Sequence, residues 1–256
     1  MKPRKPARSS KISAHSIHVG CAGWSIPRAQ RDQFGDGSSG LARYASRLSC
    51  VEINSSFYRS HRPETYARWA ATVPALFRFC VKLPRAISHD QRLAQAGPML
   101  DRFFDETAGL GDKLGCMLLQ LPPSLALEPR AAATFFAMLR GRWEGHVACE
   151  PRHASWFGER AQALLLRNRV ARVAADPARH PGAAEPGGHP GFAYWRWHGS
   201  PRMYYSAYGE ATLRRLADSV SAARRIADES WVIFDNTAHG HASADALCLQ
   251  SLLRSG

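Results

Sequence analysis

Short apolar runs alternate with stretches of helical period along the chain. Eight runs of four to six residues have the composition of buried strands. They are predicted at residues 17–20, 50–54, 78–82, 116–120, 147–150, 171–174, 193–198 and 231–234. Between most of them, apolar residues recur at the spacing of one helix face, as at Leu41, Tyr44, Ala45 and Leu48. The pattern predicts a strand followed by a helix, repeated along the chain.

Strands that alternate with helices form a parallel sheet with right-handed crossovers. Eight such units in 256 residues match the size of a (β/α)₈ TIM-like barrel. We therefore predict a single barrel domain over residues 16–256. The alternative is an open parallel α/β sheet, which usually has a glycine-rich phosphate turn after its first strand. Gly20-Cys21-Ala22-Gly23 resembles such a turn only loosely, and no helix follows it closely.

Two segments lie outside the predicted barrel. Residues 1–15 contain five basic residues and no acidic residue, which predicts a disordered basic arm. Residues 177–191, with the sequence PARHPGAAEPGGHPG, have no periodicity and are predicted to form a flexible Pro/Gly loop. A loop of this length in a compact domain is either a lid or a tolerated insertion. Because it follows the sixth strand, we expect it to lie over the active face of the barrel.

The composition excludes several classes of protein. Hydrophobic residues make up 45% of the chain, which argues against a disordered protein. No apolar stretch is long enough for a membrane helix, and the first residues lack the apolar centre of a secretory signal. We therefore expect a cytoplasmic protein without a membrane partner. None of the six cysteines has C-x-x-C spacing, which favours reduced packing residues over a zinc or redox site.

The charge is strongly basic. Lys and Arg number 34 against 21 Asp and Glu, for a net charge of +13. One interpretation is an anionic partner such as nucleic acid, which makes a nucleic-acid-binding or repair-nuclease-like barrel the alternative function. The other interpretation is that arginine is simply frequent in the predicted helices and the basic arm, and that the charge has no binding role. The sequence indicates no oligomeric state.

Polar side chains are concentrated where the predicted strands end, and barrel enzymes place their chemistry there. Residues two apart share one face of a strand, as Arg196 and His198 do. We expect four residues of these faces to act as catalytic acids, bases or proton-positioning groups: Glu52, Lys82, Glu150 and His198. Arg152 and Arg196 are expected to bind an anionic group. The other ligand-binding candidates are Trp24, Asn54, Tyr58, Arg85, His89, Gln120, His153, Trp156, Tyr208 and Asn236.

Alternative interpretations of these residues stay open. Glu52 and Lys82, on adjacent strands, could pair only to satisfy one another, and the mouth could bind a ligand without turnover. Lys82 could form a Schiff base if it is buried and unpaired. No cofactor is predicted, but a divalent metal is possible. Its candidate ligands mix carboxylate with imidazole and match no compact signature: Glu150, His153, Asp176, His198 and Asp235.

Seven blocks, in order, carry a resemblance to a known family. They are GCAGWS at 20–25, VEINSSFYR at 51–59, FCVKLPRAISH at 79–89, KLGCMLLQLPPS at 113–124, CEPRHASW at 149–156, WRWHG at 195–199 and FDNTAHGHASADA at 234–246. Over residues 17–253 the chain resembles the YecE-like family, domain of unknown function 72. The resemblance implies a TIM barrel related to sugar isomerases, with a small polar, carbohydrate-like or anionic ligand at its C-terminal mouth. A shared fold does not by itself determine the reaction.

Overall fold

The computed structural model describes residues 15–255, so the predicted basic arm, except His15, lies outside the described residues. Ten strands form one sheet. They are β1 Ser16–Ala22, β2 Cys50–Ile53, β3 Arg78–Lys82, β4 Leu114–Gln120, β5 His146–Glu150, β6 Val170–Arg172, β7 Ala174–Asp176, β8 Gly187–Gly188, β9 Phe192–Trp197 and β10 Glu229–Phe234. The sheet therefore contains a strand at each of the eight predicted places.

Eight α-helices surround the sheet. They are α1 Gly40–Tyr44, α2 Ser55–Tyr58, α3 Pro63–Thr72, α4 Gly97–Thr107, α5 Pro129–Arg140, α6 Glu159–Arg167, α7 Glu210–Ala223 and α8 His241–Ser255. Shorter helical turns span Arg28–Gln33, Ala86–Asp90, Ala108–Lys113, Ala154–Phe157 and Pro181–Ala183. Within residues 15–255, no helix is long and apolar enough to cross a membrane.

The sheet is a barrel, as the sequence predicts. Its strand order is β7-β9-β10-β1-β2-β3-β4-β5-β6-β8, and all neighbours are parallel except β6 and β8. The predicted sixth strand is divided into β6 and β7 at Val173. The Val173 amide donates to the Cys149 carbonyl at 2.8 Å, and the His198 amide donates to the Asp176 carbonyl at 2.7 Å. The divided strand therefore joins β5 on one side to β9 on the other and closes the ring.

The Pro/Gly segment 177–191 has less regular structure than the other crossovers, but it does contain two short elements. It contains the turn Pro181–Ala183 and the two-residue strand β8, which pairs antiparallel with β6. A side chain at Gly188 would come within 2.3 Å of the Val170 carbonyl oxygen, so this pairing requires glycine. The sequence pattern does not predict β8, because two glycines carry no hydrophobic alternation. A cavity of about 490 Å³ lies between this segment, β9 and α7.

The core has two apolar layers, one inside the barrel and one between the strands and the helices. Inside the barrel, the small side chains of Cys50, Cys80 and Cys116 lie in the same cluster as the bulky ring of Trp231. A side chain at Gly115 would come within 2.7 Å of that ring. All six cysteines are free, and five are buried, in agreement with the packing role expected for them. The middle of the interior is therefore filled by apolar side chains, between the polar mouth and a second polar group of His18, His146 and Glu229 at the opposite end.

Candidate functional site

Because side chains alternate between the two faces of each strand, a layer of polar side chains lies at the C-terminal end of the barrel interior. Side chains two residues apart point to the same face, so the residue that follows an interior apolar position by two also points inward. On β3 this places Lys82 above Cys80, and on β5 it places Glu150 above Ala148. The corresponding residues of the other strands are Glu52 on β2, Gln120 on β4, Arg196 on β9 and Asp235 just after β10.

Arg196 lies at the centre of this layer and is 1% exposed. Its Nε donates to both carboxylate oxygens of Glu52 at 3.1 Å, and its Nη2 donates to Glu52 Oε1 at 2.9 Å. Its Nη1 donates to Glu150 Oε2 at 3.1 Å, and Nη2 lies 2.9 Å from Asp235 Oδ2. One guanidinium therefore holds three buried carboxylates in place.

Glu52 lies beneath the open part of the mouth. It is 0% exposed, and the Tyr194 hydroxyl donates to its Oε2 at 2.8 Å while Arg196 contacts both oxygens. An ion pair between Glu52 and Lys82 is not among the contacts of residues 15–255. Glu52 therefore orients Arg196, and a role of Glu52 as an acid or base stays a prediction.

Glu150 and His198 form the open side of the same cluster. Arg152 Nε donates to Glu150 Oε1 at 2.9 Å, and His198 Nδ1 lies 3.0 Å from Asp235 Oδ2. Because a carboxylate only accepts, Nδ1 carries the proton of that hydrogen bond. His198 Nε2 lies 3.3 Å from Glu150 Oε1, at an angle that does not make a hydrogen bond. Nε2 is therefore buried in ion-pair range of Glu150 but without a hydrogen bond.

The charges of this cluster shift its acid–base equilibria. Burial alone would raise the pKa of Glu150, but Arg152, His198 and Arg196 outweigh it and hold that pKa well below 4.5. Burial alone would lower the pKa of His198, but Glu150 and the hydrogen bond to Asp235 raise it above 6.5. Near neutral pH, Glu150 is therefore ionised, and His198 keeps its proton to a higher pH than a free imidazole does.

Lys82 differs from the other cations of the mouth. It is 6% exposed, and its Nζ lies 4.2 Å from the centroid of the Phe57 ring. No hydrogen bond or ion pair joins that Nζ to any residue in the described range 15–255. Burial, followed by the charge of Arg196, lowers the pKa of Lys82 to about 8, although nearby carboxylates oppose the shift. About one molecule in ten therefore carries the neutral amine at pH 7.

A narrow cavity adjoins the open side of the cluster. It is lined by Glu150, Pro151, Arg152, Ala175, Pro177, Arg179, Ala183, His198 and Met203. Arg152 Nη2 is buried there without a hydrogen bond, although it lies 2.8 Å from Glu150 Oε1. Three of the lining residues belong to the segment 177–191, so this segment lies beside the site, as the sequence led us to expect.

Three further candidates lie close to Lys82. His89 contacts the Phe57 ring edge-on at 5.0 Å, and burial and the charge of Lys82 lower its pKa. Asn54 follows β2 next to Lys82 in the sheet, and its Oδ1 is buried without a partner. Gln120 is buried at the end of β4, and its amide makes no hydrogen bond within the described chain. The Asn54 oxygen and the Gln120 amide are therefore free to contact a ligand, whereas His89 Nδ1 lies 2.8 Å from Ser88 Oγ.

The aromatic candidates are less central. Trp156 is buried in the helical layer, where its indole nitrogen donates to the Leu125 carbonyl at 3.0 Å. Trp24 packs edge-on against Trp69 at 5.1 Å. Tyr58 is 77% exposed and stands edge-on to Phe57, the ring beneath Lys82. Of the three, only Tyr58 lies at the edge of the mouth.

Two charged candidates hold surface loops. Arg85 pairs with Asp90 at 3.1 Å, with both side chains more than half exposed. His153 caps the turn Ala154–Phe157, because its Nδ1 accepts from the Ser155 amide at 3.2 Å. These contacts account for both side chains without a ligand.

A second polar network supports the loops that follow β9 and β10. The Tyr208 hydroxyl donates to Asp176 Oδ1 and accepts from the Gly199 amide, both at 2.8 Å. The Asn236 side chain donates to Asp245 Oδ2 at 2.7 Å. Tyr208 and Asn236 are therefore engaged in fixing the backbone around the site.

Three of the candidate metal ligands, Glu150, His198 and Asp235, lie together, but they surround the Arg196 guanidinium. His153 and Asp176 are occupied by the cap and the network just described, and the two nitrogens of His198 face different carboxylates. Within the part of the chain that the structure describes, no three His, Cys, Asp or Glu side chains are grouped to hold a metal ion.

Sequence reasoning ranked two important residues too low. Tyr194 and Asp235 both contact the carboxylate–arginine cluster, but the sequence pattern makes Asn236, and not Asp235, a ligand-binding candidate. The period of two along each strand would have found both, because Tyr194 precedes Arg196 by two and Asp235 follows the interior residue Ile233 by two.

Comparisons with known proteins agree with this architecture. The UPF0759 protein YecE of Escherichia coli K12 is 34% identical over 166 residues, which are 62% of this chain and 59% of that protein. The match thus spans about three fifths of the curated relative's length. A crystal structure of a DUF72 family protein from Enterococcus faecalis V583 is similar with a TM-score of 0.79 at 23% identity, covering 93% of this chain and 96% of that chain.

A more distant fold neighbour is a xylose isomerase-like TIM barrel fused to a 4-hydroxyphenylpyruvate dioxygenase. Its TM-score is 0.50 at 13% identity, covering 90% of this chain and 41% of that chain. That likeness concerns the fold alone. The family model described as "Protein of unknown function DUF72" matches residues 18–256. With the barrel and the seven sequence blocks, this match confirms the resemblance: the chain belongs to the DUF72 family, whose curated members include YecE.

Proposed function

We propose that this protein is an enzyme that performs acid–base chemistry on a small polar, anionic, carbohydrate-like ligand at the mouth of the barrel. One observation carries the proposal: the Lys82 ammonium, on a side chain 6% exposed at the end of β3, has no hydrogen bond or ion pair within residues 15–255, while Arg152 Nη2 and His198 Nε2 are buried without a hydrogen bond and have only Glu150 Oε1 in ion-pair range. A buried group left unsatisfied costs about 1–3 kcal/mol. A cluster that served only to stabilise the fold would satisfy these groups internally, as Arg196 and Glu52 do.

The free groups indicate the class of ligand. Arg152 Nη2 and the Lys82 ammonium are donors that suit the oxygens of a carboxylate, a phosphate or a hydroxyl group. Glu150 is ionised and can accept from a hydroxyl group of the same ligand. A ligand with both hydroxyl and anionic groups matches this set of donors and acceptors, and three residues of the segment 177–191 line the cavity beside it.

The shifted pKa values supply a base and an acid. The pKa of Lys82 is lowered to about 8, which increases the fraction of neutral amine, while that of His198 is raised, which favours the protonated form. Both working forms are then present near neutral pH, as an enzyme that moves protons requires. The xylose isomerase-like fold neighbour supports a carbohydrate ligand by analogy.

The proposal is tested with a panel of aldose and ketose phosphates and sugar acids. Binding is measured as a rise in Tm, since a ligand at 100 times its Kd adds about 2.7 kcal/mol of stability. Conversion of the compounds that bind is followed by NMR. We expect Arg152→Met to lose binding and His198→Gln to keep binding while losing turnover.

The surface variant Arg142→Met is the matched control and is expected to leave both properties unchanged, because Arg142 pairs with Asp101 on the outside of the barrel. If none of the compounds raises the Tm of the wild-type protein, the proposed ligand class is wrong. If His198→Gln converts a bound compound at the wild-type rate, the proposed acid is wrong.

A further inference from the structure

Lysine is rare in this chain, and one lysine is in an unusual position. Five of the 34 Lys and Arg residues are lysines, three of them within residues 1–14. Of the two that the structure describes, Lys113 donates to the carbonyls of Ala70 and Val73, both at 2.6 Å. Lys82 is more deeply buried and makes no such bond. Of the two described lysines, only Lys82 therefore has an amine without a hydrogen bond at the polar mouth.

The surroundings of Lys82 increase the fraction of neutral amine, although the ammonium still predominates at pH 7. The three carboxylates that could neutralise it are bound by Arg196, which places a fixed positive charge in the same layer. The Phe57 ring below the Nζ makes a cation–π contact, which favours the ammonium and opposes this shift. A lysine that is desolvated beside another cation is the arrangement that activates an amine as a nucleophile. An arginine at this position would remain charged and could not act in this way.

We propose that Lys82 forms an imine with the carbonyl group of an aldehyde or ketone that also carries a carboxylate or phosphate group. This inference rests on the proposed function, because the carbonyl compound is bound in the same mouth. It names the nucleophile and narrows the ligand class to carbonyl compounds.

The step is balanced without an oxidant or reductant. The lone pair of the neutral Nζ forms a bond to the carbonyl carbon, and the π electron pair moves to the oxygen, which takes up a proton that the nitrogen loses. The imidazolium of His198 then donates a proton to the hydroxyl group of the carbinolamine, and one molecule of water leaves while the nitrogen keeps its second proton, so that a protonated imine and a neutral imidazole result. The donated proton is that of His198 Nε2, which is buried without a hydrogen bond and lies 3.3 Å from Glu150 Oε1. The protonated imine that results stabilises a negative charge on the adjacent carbon.

The test is reductive trapping of the full-length protein. Pyruvate and dihydroxyacetone phosphate are the carbonyl probes, sodium cyanoborohydride is the reductant, and peptide mass spectrometry locates the adduct. We expect one adduct at Lys82, with a mass increase equal to the probe less one oxygen atom. At pH 7 it should form about 100-fold faster than adducts at the lysines of residues 1–14, because a larger fraction of Lys82 is neutral.

Matched variants separate the amine from its charge. Lys82→Arg keeps the positive charge but cannot form an imine, so it should abolish trapping while still binding glycerol 3-phosphate, in which a hydroxyl group replaces the ketone. Lys113→Arg should trap like the wild type, because Lys113 is bound to two backbone carbonyls. Unfolding in urea should remove the advantage of Lys82 over the other lysines.

Each result decides the question. If the probes and glycerol 3-phosphate bind but no Lys82 adduct forms, the imine is overturned and the proposed site stands. Adducts spread evenly over the lysines also overturn the imine. If none of the three compounds binds to the wild-type protein and no adduct forms, the imine and the proposed ligand class both fail.

Discussion

Replacing Arg196 by methionine removes the guanidinium that contacts Glu52, Glu150 and Asp235 in the centre of the barrel. The methionine side chain fills most of the same volume, so the change is mainly one of charge and hydrogen bonding. Arg196 is 1% exposed, and water cannot replace the lost contacts without opening the mouth. The three carboxylates then share the remaining cations of the mouth.

The loss of stability can be estimated from these contacts. Removing one partner of a buried ion pair costs about 3–5 kcal/mol, because the other charge is left buried. Arg196 makes five contacts of 2.9 to 3.1 Å with groups that have little access to solvent. We therefore expect Arg196→Met to lower the free energy of unfolding by about 3–5 kcal/mol at pH 7. For a protein of this size, that corresponds to a fall in Tm of roughly 6–20 °C.

The loss should depend on pH. Burial alone would raise the pKa of Asp235, but Arg196 and His198 outweigh it, and the net shift is downward, as it is for Glu150. A carboxyl group whose pKa is lowered by folding stabilises the protein above its pKa in the unfolded chain. That stability is lost as the pH falls through the pKa in the folded protein. The difference between wild type and variant should therefore be largest above pH 5 and should shrink below pH 4.

Urea unfolding followed by tryptophan fluorescence at pH 7, 5 and 3.5 measures these differences. Arg142→Met is the control, since it breaks a surface pair and should leave the midpoint nearly unchanged. A loss below 1 kcal/mol at pH 7 for Arg196→Met would refute the view that one guanidinium neutralises the cluster. A loss that is the same at all three pH values would refute the assignment to the carboxylates.

Three further predictions concern the rest of the molecule. Gly115→Ala should lower stability by about 1–3 kcal/mol in thermal unfolding, because the new methyl group would lie 2.7 Å from the Trp231 ring, and an unchanged Tm would contradict this packing. In a thiol titration of the native protein only Cys248, the one partly exposed cysteine of the six, should react quickly, whereas all six should react after unfolding. If nucleic acid is a partner through the basic arm, deleting residues 1–14 should abolish a salt-sensitive mobility shift while leaving the Tm unchanged, and equal binding after deletion would exclude the arm.

The sequence predicts the barrel because the alternation of strands and helices is a local property. It does not predict the division of the sixth strand, because the break at Val173 depends on which neighbours accept its hydrogen bonds when the ring closes. Local spacing can also mislead. Gly35, Gly37 and Gly40 reproduce the spacing of a dinucleotide-binding loop, but they follow no strand and precede a helix of only five residues.

The site is predictable to a similar degree. The positions of Glu52, Lys82, Glu150, Arg196 and His198 at one mouth follow from the rule that parallel strands end at the same side of a barrel. The pairing among them does not follow, because it depends on the reach of each side chain across the barrel. Arg196 is long enough to contact three carboxylates, and this leaves Lys82 without the partner that neighbouring strands suggested.

The pairing of β1 with β10 has a consequence for biosynthesis. Ser16 lies opposite Glu229 in this ladder, so nearly the whole chain must leave the ribosome before the first strand acquires both of its neighbours. At ordinary rates of translation the interval is about 10–40 s. During that time one edge of β1 has free backbone groups, which can pair with other nascent chains. We expect the newly made protein to depend on chaperones, and its yield in refolding to fall as the protein concentration rises.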